Sequence, residues 1–447
     1  MKKMLSIMLL IMLLFVNMNA VVFADGTEWE QGAYYQMGTY NGEAIIWRCV
    51  SSDDPNGTLM VSDKILCFKA ANAGSADSSD MDSCYGDGFW ENSTIRAWLN
   101  STKDKGMVEW GQYPPDEDHI FSRSGIKYSY ADESGFMSDE NFTESEKSVI
   151  KTVSQWQALP VDKLELSQNG IYDPFIYNYS ISIGRNGNEI IGGMGYEDLA
   201  EGYKGAMYRI CDSVFLLNEP QAYGVYRTLG TLEAECAKES NEDNYYWLRS
   251  PAQQADSVKT TGMTAITTNY SGASVNRELG IRPAFYLNEL TAVIKSGKGT
   301  KDDPYILDGA KRDGISVFIN GKQVEFQENP TLENDRTLVG MRAVFEALGA
   351  AVEWDGTEKI VTATTGGTTI KLQIDNNIMQ INDEAIELDT PARLINDNTM
   401  VPIRAVSEAF GADVYWIGDL QRIVIDVQPE WAESDWNPSW YQQAIGN

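Results

Sequence analysis

Three residues in the larger, N-terminal part of the chain could bind a ligand: Trp247, Arg249 and Arg282. An indole offers a flat face for stacking, and a guanidinium group can hold two oxygen atoms at once. The alternative is structural, because both arginines adjoin predicted strands and lie close to Pro251 and Pro283. A core tryptophan would then lie beside arginines that bind backbone carbonyls. We assign the three as candidate ligand-binding residues and keep the structural alternative open.

The sequence contains few imidazole or thiolate groups that could bind a metal ion. His119 is the only histidine, and no two of the five cysteines have CxxC spacing. Zinc and copper sites draw on two or more such ligands, so we predict no metal site and no cofactor. The 65 acidic residues leave calcium open, because calcium binds hard oxygen ligands.

The five cysteines permit at most two internal disulfides and leave one thiol. Short loops favour the pairs Cys67–Cys84 and Cys211–Cys236 over pairs with Cys49, although the sequence does not fix the pairing.

A catalytic set of nucleophile, base and orienting group is not recognisable, so we assign no catalytic residue. Our first hypothesis is a binding or adhesion protein. The rival is a secreted hydrolase, since a pair of carboxylates in the N-terminal domain could hydrolyse glycosides.

The formal net charge of −30 at pH 7 argues against nucleic acid as a partner. Phosphate neutralisation requires clusters of Lys and Arg, which this acidic chain lacks. The same charge disfavours anionic membranes. The ligands that remain are cell-wall or host polysaccharide, or a surface protein.

Residues 1–24 have the features of a secretory signal peptide. Lys2 and Lys3 precede the apolar run 4–16, and small residues lead to cleavage after Ala24. The alternative is a membrane anchor, but a run of 13 residues is shorter than the roughly 20 needed to span a bilayer. We therefore predict a secreted protein, extracellular or associated with the cell wall, with no membrane span after cleavage.

The C-terminal part contains an internal repeat. A shift of 62 residues aligns 319–354 with 381–416 without a gap, and 17 of the 36 positions are identical. Each copy predicts one short helix that ends at a glycine, Gly349 or Gly411. In the second copy Thr399 could cap the helix and Pro402 suits its first turn. Apolar residues recur at helical spacing, so each helix buries one face.

An alternating pattern follows each helix and predicts a strand that carries Trp354 or Trp416. We expect both indoles in equivalent, partly buried sites beside the helices. Arg342 with Glu346, and Arg404 with Glu408, lie four residues apart on the helices. These charges could bind a ligand, or they could form ordinary ion pairs within or between the repeats.

The stretches VPIRAVSEAFGADVYW and RTLVGMRAVFEALGAAVEW resemble the copper amine oxidase N-terminal-like domain. This module forms a stalk on secreted proteins of Gram-positive bacteria, and the resemblance covers about 315–428. It implies no oxidase activity, because the copper ligands of that enzyme belong to a different domain. The first copy departs from the pattern at Gly340, where proline is usual.

A second resemblance rests on four stretches of the N-terminal part: WENSTIRAWLN, DSVFLLNEPQAYG, YYWLRSP and GIRPAFYLN. Together they resemble an uncharacterised bacterial domain with a C-type-lectin-like fold, distantly similar to the sulfatase-modifying enzymes. The resemblance implies a small sheet core with long loops. We expect loops 70–89 and 167–208 to recognise polar ligands, or to be ordinary solvated loops.

The fold class that follows is α+β: a lectin-like domain at 25–307, a linker at 308–314, the stalk module at 315–428 and an aromatic, polar tail at 429–447. Strands are predicted at 44–50, 58–61, 214–217, 360–364, 369–374 and 423–427. Helices are predicted at 94–100 and 143–153, the second with the spacing of a capping box. The tail could dock on the stalk or stay disordered.

Overall fold

The computed structural model describes residues 29–54, 56–73, 88–111, 114–116, 120, 130–160, 180–183, 189–192, 207–237, 245–251, 257–261, 273–309 and 314–427. Strands make up 45% of the structure and helices 13%. The fold is therefore β-rich, and the predicted α+β class is wrong. Its helices are short, between 6 and 11 residues.

The N-terminal part, residues 29–309, is built mainly of short strands. A seven-stranded sheet has the order β15-β16-β1-β2-β3-β14-β5, and a five-stranded sheet has the order β12-β11-β10-β13-β4. Its strands are β1 (Tyr34–Tyr40), β2 (Glu43–Asp54), β3 (Gly57–Ser62), β4 (Cys67–Ala70), β5 (Ile150–Lys151), β6 (Val153–Ala158), β7 (Ser180–Ile183), β8 (Glu189–Gly192), β9 (Met207–Asp212), β10 (Tyr246–Pro251), β11 (Ser257–Thr261), β12 (Ala273–Ser274), β13 (Glu278–Ile281), β14 (Ala284–Leu287), β15 (Ala292–Ser296) and β16 (Tyr305–Gly309). Its helices are α1 (Thr94–Leu99), α2 (Glu144–Val149) and α3 (Glu219–Leu229).

The C-terminal module, residues 314–427, holds three small sheets and two helices. The sheets have the orders β18-β17-β29-β28, β19-β20-β27-β26 and β21-β22-β23-β24-β25. Its strands are β17 (Ser316–Ile319), β18 (Lys322–Gln323), β19 (Thr331–Glu333), β20 (Arg336–Gly340), β21 (Ala351–Asp355), β22 (Ile360–Thr365), β23 (Thr368–Gln373), β24 (Ile378–Ile381), β25 (Glu384–Glu387), β26 (Arg393–Ile395), β27 (Asn398–Pro402), β28 (Ala412–Ile417) and β29 (Arg422–Val427). The helices are α4 (Met341–Ala347) and α5 (Ile403–Ala409).

The two copies of the repeat meet about a pseudo-twofold axis in the middle sheet of the module. Strand β20 pairs antiparallel with β27, and Val339 lies opposite its own repeat equivalent, Val401. Leu338 pairs with Pro402, and their repeat equivalents, Met400 and Gly340, pair with each other. Equivalent residues of the two copies therefore lie on opposite sides of the axis.

The ends of the module close its fold. Strand β17 at the beginning pairs in parallel with β29 at the end, with Ser316 opposite Arg422 and Ile319 opposite Ile425. The strands that a 62-residue shift relates to β17 and β29 are β24 and β22, and these two are separated by β23. The parallel pair therefore joins the two ends of the module. Residues 317–425 bury a hydrophobic core that is separate from that of the N-terminal part.

The module packs against the N-terminal part through buried polar contacts. Arg422 is only 4% exposed and donates hydrogen bonds to the carbonyl oxygens of Ile150 (2.5 Å) and Lys147 (2.6 Å) and to Thr152 Oγ1 (3.0 Å). Burial lowers the pKa of Arg422 to about 10, so the guanidinium is still charged at neutral pH. Lys147 belongs to the last turn of α2, where a cation also interacts favourably with the helix dipole.

A second contact across this junction is an ion pair. Arg209 on β9 lies 2.6 Å from a carboxylate oxygen of Asp426 on β29, and both side chains are largely buried. The amide of Asn288 also donates to Gln323 Oε1 at 2.9 Å. Together with Arg422, these contacts fix the module against the edge of the N-terminal part.

Most predicted elements are confirmed. Strands cover 44–50, 58–61, 360–364 and 423–427, and all but the last residue of 369–374. Thr143 and Glu146 form the capping box of α2. Gly349 and Gly411 follow the repeat helices with φ of 76° and 78°, a conformation that favours glycine.

Three element predictions are wrong in detail. Residues 214–217 form no strand, because the N–H groups of Ser213 and Val214 bind Asn100 Oδ1 and only Phe215 bridges to Ala284. Helix α2 ends at Val149, and the chain then enters β5. Thr399 lies within β27, so Pro402 and not Thr399 is the N-cap of α5.

The signal peptide at 1–24 and the tail at 429–447 lie outside the described residues, as do residues 310–313 of the linker.

Candidate binding groove

The three candidate residues of the N-terminal part are buried. Trp247 is 0% exposed, Arg249 1% and Arg282 2%. The indole N–H of Trp247 donates to the carbonyl oxygen of Lys69 at 2.9 Å. Its strand, β10, lies inside the five-stranded sheet between β11 and β13, and the ring is fully covered by protein.

Both arginines bind protein acceptors at short distances. Arg249 donates to Gln155 Oε1 at 2.9 Å and to Gln221 Oε1 at 3.3 Å. Arg282 donates to the carbonyl oxygen of Ser62 at 2.9 Å and to the hydroxyl of Tyr246 at 3.0 Å. These contacts are those of the structural alternative, and ligand binding by the three residues stays a prediction. The structure does not bring Trp247, Arg249 and Arg282 to an accessible surface.

The best-formed concave surface among the described residues lies in the module. It is a groove of about 790 Å³ between the β24–β25 hairpin and helix α5 with strand β28, and residues 332–337 of the first copy also line it. We call it the module groove. Its floor contains four buried apolar side chains: Met379, Leu388, Ile403 and Ile423. A volume of this size falls within the range of ordinary ligand sites.

The rim of the module groove carries exposed apolar residues. Leu332 is 64% exposed, Trp416 43% and Ile386 42%. Large apolar side chains that surround one concavity mark an interaction surface more strongly than single exposed residues do.

Trp354 and Trp416, which we expected in equivalent, partly buried sites, are 44% and 43% exposed, so a little over half of each side chain is covered. Each indole lies over a glycine two residues further along. A Cβ added at Gly356 would lie 3.4 Å from Trp354 Nε1, and one at Gly418 would lie 3.3 Å from Trp416 Nε1. The two sites are equivalent in local geometry, but only Trp416 lines the module groove. Both strands are sheet edges, so no further strand covers the rings.

Polar groups are placed among the apolar ones. Arg336 donates to Asp389 Oδ2 through Nε at 2.9 Å and through its terminal nitrogen at 2.5 Å. Arg404 and Glu408 line the same groove from α5 and are exposed. Within residues 314–427 these two form no ion pair with each other at 4 Å or less, and neither do the equivalent Arg342 and Glu346. The charges of α5 are therefore available to a ligand.

Sequence reasoning found Trp416, Arg404 and Glu408 but missed the opposite wall of the groove. Arg336 and Asp389 are 53 positions apart, and no local pattern connects them. The repeat could have pointed to Leu332, because its equivalent in the second copy, Leu394, is also a leucine. In the structure Leu394 lies in a short strand and is 50% exposed.

Thiol chemistry is not supported by the described cysteines. Cys211 is a buried thiol on β9. The backbone of Cys236 forms an isolated parallel β-bridge with that of Ile65. The expected Cys211–Cys236 disulfide is not formed. Burial raises the pKa of Cys49 to about 12 and raises that of Cys211 further, which keeps both thiols protonated and weakly nucleophilic. Cys84 and His119 lie outside the described residues.

Metal binding has no candidate among the residues whose positions are described, because no three His, Cys, Asp or Glu side chains come together there. In the same part of the chain, no helix has the length and apolar character needed to cross a membrane. Calcium binding, which the sequence leaves open, stays a prediction.

A comparison with family models finds one match, and it lies in the module. Residues 318–425 match the model of the copper amine oxidase N-terminal domain, which confirms the resemblance found at 315–428. The copper amine oxidase N-terminal domain is a stalk-like domain without catalytic activity, so the match is compatible with a non-catalytic binding role. No curated protein matches the chain. The match does not extend to the N-terminal part, where the lectin-like resemblance gains no support.

Proposed function

We propose that this protein is an exported, surface-associated and non-catalytic binding protein that recognises a polysaccharide through the module groove. The observation that carries the proposal is the half-exposed indole of Trp416 at the rim of a concave site with charged neighbours. Pyranose rings stack their C–H faces on aromatic rings, while guanidinium and carboxylate groups bind hydroxyls. The groove provides both kinds of group, and it belongs to a domain of a non-catalytic family.

The charge of the site restricts the polysaccharide. Four acidic and two basic residues line the groove: Asp335, Glu387, Asp389, Glu408, Arg336 and Arg404. Because the whole chain also carries a net charge of −30, polyanionic glycans are repelled. The proposed ligand is a neutral polysaccharide or one that contains amino sugars.

Export is part of the proposal and rests on Lys2 and Lys3, the apolar run 4–16 and the small residues before Asp25. The secreted protein should begin at Asp25, which N-terminal sequencing of culture supernatant measures. Recovery of Met1 from the supernatant would remove this support.

The binding test uses residues 25–447 and a panel of neutral, amino-sugar and acidic wall polysaccharides. We expect a dissociation constant of about 0.1–1 mM, or about 4–5.5 kcal/mol, for a ligand of the first two classes. Calorimetry measures the heat, and NMR shifts of the tryptophan indoles report the site.

The chain supplies its own matched control. Trp416→Ala should weaken binding about tenfold or more, which corresponds to about 1.4 kcal/mol. Trp354→Ala removes an equally exposed indole from the repeat-related position outside the groove and should leave binding unchanged. Equal losses in both variants would contradict the assignment to the module groove. Absence of binding by any polysaccharide at millimolar concentration would leave a surface protein as the better partner.

A further inference from the structure

The charges that line the module groove do not cancel. Arg336 and Asp389 neutralise each other, because Nε and a terminal nitrogen of Arg336 donate to Asp389 Oδ2 at 2.9 Å and 2.5 Å. The charged lining residues that remain are three carboxylates and one guanidinium: Asp335, Glu387, Glu408 and Arg404. The groove therefore keeps an excess of two negative charges beside its apolar floor.

The three remaining carboxylates come from separate segments that meet at the groove. Asp335 lies in the turn between β19 and β20, Glu387 ends β25, and Glu408 lies on α5. All three are exposed, and within residues 314–427 none has a basic nitrogen within 4 Å. Glu387 accepts a hydrogen bond from Asn377 Nδ2 at 3.0 Å, which leaves its charge in place. Carboxylates that converge on one concavity attract cations to it.

An amino sugar with a free amine complements both properties of the groove. Its ring has an apolar C–H face for the indole of Trp416, which is 43% exposed. Its ammonium group can donate to a carboxylate, and such a charge-assisted hydrogen bond is roughly twice as strong as a neutral one. An ammonium group near the indole also gains a cation–π attraction. N-acetylation keeps the ring but removes the charge, so the two forms of one sugar separate stacking from charge recognition.

We infer that the module groove selects polysaccharides whose amino sugars carry free, protonated amines over the same polysaccharides in N-acetylated form. The inference rests on the proposed function, since it names the ligand class of the same site. The carboxylates of Glu387 and Glu408, on facing walls of the groove, bind the ammonium groups while a sugar ring stacks on Trp416. Arg404 remains for the hydroxyls. A partly de-N-acetylated wall glycan and a de-N-acetylated chitin both provide this chemistry.

The first experiment compares matched ligands. Residues 25–447 are titrated by calorimetry with a glucosamine oligomer and with an N-acetylglucosamine oligomer of the same length, at a pH at which the amines are protonated. We expect the free-amine oligomer to bind about tenfold more tightly, which is the effect of one additional hydrogen bond between charged groups. High salt should remove most of this difference, because interactions between exposed charges are screened.

The second experiment assigns the charge recognition to the groove. Glu408→Gln should weaken binding of the glucosamine oligomer about fivefold and leave binding of the N-acetylated oligomer unchanged. Glu346→Gln is the matched control, because Glu346 is the repeat equivalent of Glu408, is also exposed and does not line the groove. It should change neither affinity. Trp416→Ala should weaken both oligomers by the same factor, because both stack on the indole. Urea denaturation checks that the variants are folded.

The third experiment identifies the source of the ligand. Wall polysaccharide is titrated before and after treatment with acetic anhydride, which converts its free amines to acetamides. If the treatment abolishes binding, the wall glycan supplies the amines and the inference is supported. If the untreated wall glycan does not bind but the glucosamine oligomer does, the inference is supported with a de-N-acetylated chitin as the source.

Three results would overturn the inference, and they differ in what they leave of the proposed function. Equal binding of the two oligomers, with both weakened by Trp416→Ala, overturns the selection for amines but leaves polysaccharide binding by the groove in place. Absence of binding by every polysaccharide at millimolar concentration removes both. Oligolysine that binds more tightly than the glucosamine oligomer, and is weakened by Trp416→Ala, would make a basic protein segment the occupant.

Discussion

Tryptophans behave differently in the two parts of the molecule. In the N-terminal part, Trp47, Trp98 and Trp247 are 0% exposed, and each indole N–H donates to a backbone carbonyl at 2.9–3.1 Å. In the module, Trp354 and Trp416 are 44% and 43% exposed. The buried rings are covered by further layers of the structure, whereas the exposed ones lie on edge strands. Burial of a tryptophan is thus decided by what covers it and not by the alternation of its own strand.

Arginines show the same contrast. Arg249, Arg282 and Arg422 are at least 96% buried and bind amide, hydroxyl or carbonyl oxygens. Arg342 and Arg404, on the exposed faces of the repeat helices, are open to solvent. A guanidinium group has five donors, so it can replace its hydration only where several acceptors converge. The N-terminal part and the junction provide such acceptors, and the outer face of the module does not.

The largest expected effect tests the contrast between tryptophans. Trp247→Ala should lower the free energy of unfolding by about 3–5 kcal/mol, because it removes a fully buried ring. Trp416→Ala should lower it by less than about 1 kcal/mol, because the ring is already partly in solvent. Urea denaturation of both variants measures the difference. Equal destabilisation would mean that Trp416 is also a core residue and would break the comparison.

A smaller effect is expected at the junction. Arg422→Ala leaves the carbonyl oxygens of Ile150 and Lys147 without their donor and should cost about 2–3 kcal/mol. Arg404→Ala, an exposed arginine of the same module, should cost less than about 0.5 kcal/mol. Because Arg422 joins the two parts, its variant should also separate their thermal transitions in calorimetry. A single unshifted transition would show that the junction does not depend on this residue.

The smallest effect concerns pH. Burial raises the pKa of Asp308, but hydrogen bonds from Ser145 and from the N–H of Gly309, together with Lys295, outweigh it and lower the pKa. A carboxyl with a lowered pKa in the folded state stabilises the protein above the ordinary carboxyl pKa, and this stabilisation is lost as the pH falls. Asp308→Asn should therefore cost less than about 1 kcal/mol at pH 7, and the cost should be smaller at about pH 3. Thermal melts of both proteins across this range check the sign, and an equal cost at both pH values would contradict it.

Much of the module could be predicted from the sequence because its signals are local. Gly349 and Gly411 end their helices through a backbone conformation that glycine favours, and this requires no knowledge of the surroundings. The 62-residue repeat likewise predicts two equivalent units, and the pairing of Val339 with Val401 shows how they meet. Less of the N-terminal part could be predicted, because its sheets join strands that are far apart in sequence, such as β1 and β16.

The candidate site shows where local signals end. The sequence by itself determined the duplication, the glycines that end the repeat helices, the acidic charge and the scarcity of imidazole ligands. Only the tertiary structure decided that Trp247 is buried and Trp416 exposed, that Arg422 lies in a junction, and that Arg336 meets Asp389 in one wall of a groove. The physical reason is that turn and helix signals depend on neighbours in the chain, whereas burial and ion pairing depend on which distant segments approach and exclude water.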